Sequence, residues 1–125
     1  MKKLILLPCL LCLAVFAGPA LAKHGGNAGV TRTGDCTGPA TWKLKAKPDD
    51  GAFEVEFEVD RNRAGLRYAV VLRRNGKVFS NTTRTTAGRS GSFSLQRRTG
   101  NRAGTDRITA VATRRGERCS AALSI

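Results

Sequence analysis

Histidine and methionine each occur once in this chain, and aromatics are limited to one Trp, one Tyr and five Phe. These scarcities exclude whole classes of chemistry. The single imidazole, His24, lies in a Gly-, Asn- and Thr-rich stretch, whereas Ser-His-Asp or Cys-His catalysis needs an imidazole held against its nucleophile. A blue-copper centre, built from two His, one Cys and an axial Met, cannot be assembled from one His and the initiator Met. No Walker-type phosphate loop occurs. Gly88-Arg89-Ser90-Gly91-Ser92 lacks the closing Gly of a nucleophile elbow and reads as a turn. The acids alternate along one segment opposite lysines, which is a solvated ion-pair face rather than the paired carboxylates of a glycosidase. Pro48-Asp49-Asp50-Gly51 reads as a turn, not a calcium site, and Lys23-His24 as a disordered end rather than a copper site. The sequence therefore predicts no catalytic residue, no metal and no cofactor.

Residues 1–22 carry the layout of a secretory signal: Lys2 and Lys3, an apolar run from Leu4 to Phe16, then Gly18-Pro19 and the small-x-small Ala20-Leu21-Ala22. Cleavage after Ala22 would leave no stable membrane span and would place the product outside the cell or in the envelope. It would also remove Cys9 and Cys12, leaving Cys36 and Cys119, and a pair in an exported chain reads as a disulfide. Cleavage would leave 20 of the 22 Lys and Arg facing all nine acids, a formal charge of +11. Such a surface attracts polyanions without a specific site.

Residues 23–35 have no apolar periodicity and are expected to be a flexible leader, with a folded domain over 36–125. From Cys36 onward, short alternating segments recur between Gly, Pro, Asn and Asp, a pattern that predicts an all-β, seven-stranded antiparallel sandwich of two sheets. No helix-period stretch and no internal repeat compete with it. Trp42, Leu44 and Ala46 alternate with Lys43, Lys45 and Lys47. Across the Pro48–Gly51 turn, Phe53, Val55, Phe57 and Val59 alternate with Glu54, Glu56, Glu58 and Asp60. A four-residue turn pairs Lys45 with Glu54, Lys43 with Glu56, Leu44 with Val55 and Trp42 with Phe57. Asn75-Gly76 marks a second hairpin, with Leu72 opposite Phe79 and Tyr68 opposite Thr83 inside. Arg67, Ala69, Val71 and Arg73 then face outward with Arg84, Thr82, Ser80 and Val78, and Ser80–Thr85 reads as a sheet edge. A fifth strand turns Phe93 and Leu95 inward. A last hairpin across Arg115-Gly116 sets Ile108, Ala110 and Ala112 opposite Leu123, Ala121 and Cys119. Every aromatic of the folded part falls on an inward position, which leaves no stacking platform for single-stranded bases.

Gly91-Ser92-Phe93-Ser94-Leu95, the loop Ala103-Gly104-Thr105-Asp106 and the strand Ile108-Thr109-Ala110-Val111-Ala112 resemble the end of bacterial immunoglobulin-like or fibronectin type III-like domains. The whole of 36–125 is similar to small secreted single-domain proteins of high-GC bacteria whose activity is unassigned. The resemblance implies a sandwich and no catalytic residue. Two departures stand against the family pattern: no Tyr occupies the corner before the sixth strand, and the cysteines join the ends of the domain rather than its facing sheets.

Arginine carries the remaining functional content. If the second and last hairpins share a sheet, Arg67, Arg73, Arg84, Arg107 and Arg118 fall on its outer face among Val71, Val78, Val111 and Ala122. Guanidinium forks bind phosphate and carboxylate bidentately, and small apolar neighbours let a polymer lie close. A second cluster, Arg97, Arg98 and Arg102 beside Arg107, surrounds the Gly-containing loop before the sixth strand. The expectation is a secreted, non-catalytic binding module whose partner is an anionic polysaccharide or wall polymer, with non-specific polyanion binding in the background. The alternatives are a protein-binding or inhibitor-like module acting through edge strand Ser80–Thr85, and a small secreted enzyme. The oligomeric state is not encoded in any pattern found.

Overall fold

The computed structural model describes residues 29–125. The signal segment and residues 23–28 of the expected leader lie outside the described residues. Eight strands form two four-stranded antiparallel sheets, and no helix occurs among the described residues. They are β1 (Val30–Asp35), β2 (Thr41–Asp49), β3 (Ala52–Asp60), β4 (Arg67–Arg74), β5 (Lys77–Thr85), β6 (Ser92–Gly100), β7 (Arg107–Arg114) and β8 (Glu117–Ser124). Sheet A runs β1-β2-β3-β6 and sheet B runs β5-β4-β7-β8. The second and last hairpins therefore do share a sheet.

The period-two pattern sorts the side chains as the alternation predicts. Leu44, Val55, Phe57 and Leu95 of sheet A meet Tyr68, Val70, Leu72 and Ile108 of sheet B in a fully buried core. Phe93 stands edge-on to Phe57, ring centres 6.2 Å apart, and 5.6 Å from Tyr68, the offset geometry that aromatic quadrupoles favour. The last hairpin has the predicted register, with Ile108 opposite Leu123, Ala110 opposite Ala121 and Ala112 opposite Cys119. Cys119 is buried and bonded to Cys36, 83 positions away. That bond runs from the β1–β2 connection of sheet A to β8 of sheet B, so it ties the two sheets along one lateral edge instead of merely joining chain ends. Thr37 adds to the tie, accepting at its hydroxyl from the Arg118 amide at 2.8 Å and donating its own amide to the Arg118 carbonyl at 2.9 Å.

Three expectations are corrected. There are eight strands rather than seven, because Val30–Asp35, assigned to the leader, is β1 and pairs along β2. Its only glycine within the strand, Gly34, lies opposite Trp42, and a Cβ there would come within 2.6 Å of the indole, so the missing side chain is what seats the ring. In the β2–β3 hairpin the turn is the two residues Asp50-Gly51, at φ 51° and 76°, and the strands pair two positions further on than a four-residue turn allows. Lys47, Lys45 and Lys43 face Glu54, Glu56 and Glu58, while Leu44 meets Phe57 and Trp42 meets Val59. A shift of two preserves both faces. In the β4–β5 hairpin a bulge falls between Leu72 and Arg73: Leu72 pairs with Ser80 and Arg73 with Val78, leaving Phe79 as the extra residue. One inserted residue reverses the facing of the rest of β5. Ser80, Thr82 and Arg84 thus share the inner side with Leu72, Val70 and Tyr68, and Asn81, Thr83 and Thr85 face outward.

Candidate functional site

Positive and negative charge are divided between the two sheets. The strands of sheet A carry six cations (Arg32, Lys43, Lys45, Lys47, Arg97, Arg98) and six acids (Asp35, Asp49, Glu54, Glu56, Glu58, Asp60). The strands of sheet B and the β7–β8 turn carry nine cations (Arg67, Arg73, Arg74, Lys77, Arg84, Arg107, Arg114, Arg115, Arg118) against one acid, Glu117. Glu117 is itself occupied: it accepts from Arg61 Nε at 2.7 Å and from Arg114 at 3.1 Å. Asp106, just before β7, is 1% exposed and accepts from the Asn75 amide at 2.8 Å. No side-chain carboxylate is left without a partner on the sheet B side among the described residues.

The pairing of β5, β4, β7 and β8 sets the outer face of sheet B row by row. Across it run Thr83–Ala69–Thr113–Arg118, then Asn81–Val71–Val111–Ser120, then Val78–Arg73–Thr109–Ala122. Arg67 lies beyond the first row and Arg107 beyond the last. Four of the five arginines assigned to this face are on it: Arg67, Arg73, Arg107 and Arg118. Val71, Val78, Val111 and Ala122 lie among them. Arg84 is the exception, because the Phe79 bulge turns it to the inner side at the β5 edge, where it is half-buried and donates to the Thr83 carbonyl at 3.2 Å. Arg67, Arg73, Arg107 and Arg118 make no ion pair; Arg118 alone has a side-chain partner, donating from Nε to Ser120 Oγ at 3.0 Å.

The loop cluster is not assembled as expected. Arg97 faces the inner side of β6, opposite Val55, and Arg98 is on the outer face of sheet A, in an ion pair with Asp49. Arg102 is exposed on the β6–β7 loop, which Asp106 pins to the β4–β5 turn. Asn75 is the pin's other half: its amide oxygen accepts from the Arg107 N–H at 2.8 Å, and its own N–H donates to the Arg107 carbonyl at 2.8 Å. Arg74 reaches across the sandwich to the Gly100 carbonyl. This packing gathers Arg73, Arg74, Lys77, Arg102 and Arg107 at one end of the molecule. The opposite end carries Arg67, Arg114, Arg115 and Arg118. Arg115 sits at φ 35°, a left-handed conformation that the other two-residue turns give to Asp50 and Asn75.

Beneath that second end lies a buried polar group. Tyr68 is fully buried and its hydroxyl has no hydrogen-bond partner. Burial pushes its pKa up, Glu117 adds to the rise, and Arg61 and Arg114 oppose it. For Glu117 itself burial acts upward, but the hydrogen bonds and charges of Arg61 and Arg114 outweigh it and hold the carboxyl below its ordinary value. On sheet A a shallow depression of about 360 Å³ opens beside Trp42, lined by Thr33, Asp35, Lys43, Glu58 and Asp60. It mixes both signs of charge. Among the described residues no group of three or more His, Cys, Asp or Glu is placed to hold a metal ion.

Comparison with known proteins returns no matching family model, curated protein or solved structure. Sequence reasoning missed Arg61, Arg74, Arg114 and Arg115. The doublets Arg73-Arg74 and Arg114-Arg115, each running into a glycine-containing turn, were the signal available, since the first member of each doublet sits on one face and the second must go elsewhere.

Proposed function

We propose that this protein is a secreted, non-catalytic binding module that engages anionic surface polymers through the outer face of sheet B. The observation carrying this reading is the division of charge: eight cations and one ion-paired carboxylate on the strands of one sheet, six and six on the strands of the other. A composition that was merely basic would spread its excess over both faces. Here the excess is concentrated where four guanidiniums have no carboxylate partner, which is how an electropositive field is focused on one side. The buried Cys36–Cys119 bond fits an oxidising compartment outside the cytosol. No helix among the described residues is long and apolar enough to cross a membrane.

The strand order supports an immunoglobulin-related sandwich of fibronectin type III-like kind. Sheet B reads as the G-F-C-C′ arrangement of such domains, and β2-β3-β6 as the smaller facing sheet, with β1 an addition at its edge. Fold alone assigns no activity. The second reading, capture of a protein strand, draws on the position of β5 at the edge of sheet B. The bulge at Phe79 and the flanking Lys77 weigh against it, because both are devices that discourage strand addition.

The test is retention of the disulfide-bonded protein on heparin and teichoic-acid columns. We expect binding at low salt and release over a moderate increase, as the Debye length contracts. Absence of retention at low salt, or elution indifferent to salt, refutes the reading. A single salt-resistant protein partner in a pull-down would favour the edge-strand reading instead.

A further inference from the structure

The connections between successive strands alternate between the two ends of the sandwich, and the two sets differ in charge. At the end that carries the Cys36–Cys119 bond, segments 36–40, 61–66, 86–91 and 115–116 hold Arg61, Arg63, Arg89 and Arg115 and no acid. At the other end, segments 50–51, 75–76 and 101–106 hold Arg102 against Asp50 and Asp106. Arg61 is held by Glu117, whereas Arg63, Arg89 and Arg115 are exposed and make no ion pair. Arg67 and Arg118, near the starts of β4 and β8, border this pole and the outer face of sheet B alike. Asp35 and Asp60 end the outer face of sheet A and so stand to one side of the pole.

The two segments that cross between the sheets at this pole are locked together. Thr86, 1% exposed, donates from its hydroxyl to the Arg63 carbonyl at 2.6 Å and accepts there from the Leu66 amide at 3.0 Å. The Gly65 amide donates to the Thr86 carbonyl at 2.7 Å, and the Arg61 amide to the Gly91 carbonyl at 3.0 Å. Gly91, at φ 59°, lies so close to the facing segment that a Cβ would fall 2.1 Å from the Arg63 backbone nitrogen. Arg63 and Arg89 are therefore carried on a rigid pair of loops, and a partner that meets them has little backbone to order.

We propose that this pole docks end-on against the phosphate headgroups of an anionic lipid bilayer, a partner separate from the polymers assigned to sheet B. Its cations come from connections of both sheets and are spread in two dimensions across the end of the sandwich. A linear polyanion crossing the pole meets only those along its path, while a plane of headgroups meets all of them at once. Each is an arginine, whose fork takes two phosphate oxygens together. Nothing apolar accompanies them: the one large apolar side chain that is well exposed among the described residues, Val78, borders the other pole. The attachment is thus electrostatic and reversible, without insertion, and each arginine near the headgroups contributes about fivefold to partitioning.

The test is sedimentation of the full disulfide-bonded protein with vesicles, of phosphatidylglycerol and phosphatidylcholine in equal amounts or of phosphatidylcholine alone. We expect binding to the mixed vesicles at low salt, release at moderate salt, and none to phosphatidylcholine. Arg63→Gln/Arg89→Gln takes two charges from the pole and should weaken that binding about twenty-five-fold. Arg73→Gln/Arg107→Gln takes the same charge from the far end of strands about 25 Å long, beyond a Debye length from the headgroups, and should weaken it by less than about fivefold. On heparin the order reverses, the second pair eluting at lower salt than the first. Equal losses from both pairs on vesicles would show attraction by net charge alone and overturn the proposal, as would failure of the unaltered protein to bind the mixed vesicles. A pole pair that weakens heparin as strongly as vesicles overturns it too, since the pole is then a general polyanion contact. Failure of the unaltered protein on heparin, with vesicle binding intact, removes the sheet B reading and leaves this one standing.

Discussion

Replacing Glu117 with glutamine keeps the side chain's shape and removes the only carboxylate on the strands of sheet B. In the native protein that group receives Arg61 at 2.7 Å and Arg114 at 3.1 Å, and the three side chains are 14, 18 and 22% exposed. Removing one member of a fully buried ion pair costs about 3–5 kcal/mol, because the other charge is left without a partner. Discounted for the remaining solvent access, the cost here is about 2–3 kcal/mol. With a urea m-value of about 1–1.5 kcal/mol/M for a domain of this size, the unfolding midpoint of Glu117→Gln should fall by about 2 M at neutral pH. The pH dependence supplies the discriminating half. Glu117 has a folded-state pKa below its unfolded value, so its stabilisation is complete above the ordinary carboxylate range and is lost as pH falls through the depressed value. Native protein and variant should therefore converge in strong acid, where the native carboxyl is protonated and resembles the amide. Urea titrations at a series of pH values measure the gap directly. A gap below about 0.5 kcal/mol at neutral pH, within the range of an ordinary surface change, or one that does not narrow on acidification, would refute the argument.

The Cys36→Ala/Cys119→Ala double variant opens a loop of about 84 residues and should lose up to about 4.5 kcal/mol on the chain-entropy estimate, read as a lower urea midpoint; an unchanged midpoint would show that β1 and β8 hold their edge without the bond. Arg115→Asn replaces a left-handed arginine with a residue that tolerates that conformation, so stability should rise by about 0.5–1 kcal/mol while heparin elutes at lower salt. A stability gain with unaltered elution would remove Arg115 from the anion-binding surface.

What could be read from the sequence and what could not separate along one physical line. Side-chain alternation in extended backbone is a parity rule, so any error of two residues leaves it intact. The β2–β3 hairpin shows this: the lysine and glutamate ladders match in either register, and only the positive φ of Asp50 reveals the tighter turn. An error of one residue is different. Phe79 follows an Asn-Gly turn whose own signal is fully satisfied, so nothing local announces the bulge, and its consequence falls on Arg84, the one arginine of the proposed face that lies elsewhere. β1 was invisible for a third reason. Val-Thr-Arg-Thr-Gly-Asp has a single apolar residue, and the strand exists because β2 offers it an edge and Trp42 a place over Gly34. The last hairpin keeps the register that its two-residue Arg115-Gly116 turn dictates, with Ile108, Ala110 and Ala112 opposite Leu123, Ala121 and Cys119, even though Val111 and Ala122 interrupt the apolar alternation. The arginines on the outer face of sheet B were legible to the extent that parity held, and the loop cluster failed because Asp49 claims Arg98 from another strand.

The unequal sheets also give the molecule a direction. Among the described residues the strand charge is displaced toward sheet B, so a negatively charged wall of the kind proposed above would exert a torque on the sandwich at a distance set by the ionic atmosphere. It would arrive already turned, arginines first, with the lysine–glutamate ladder of sheet A facing away from the wall.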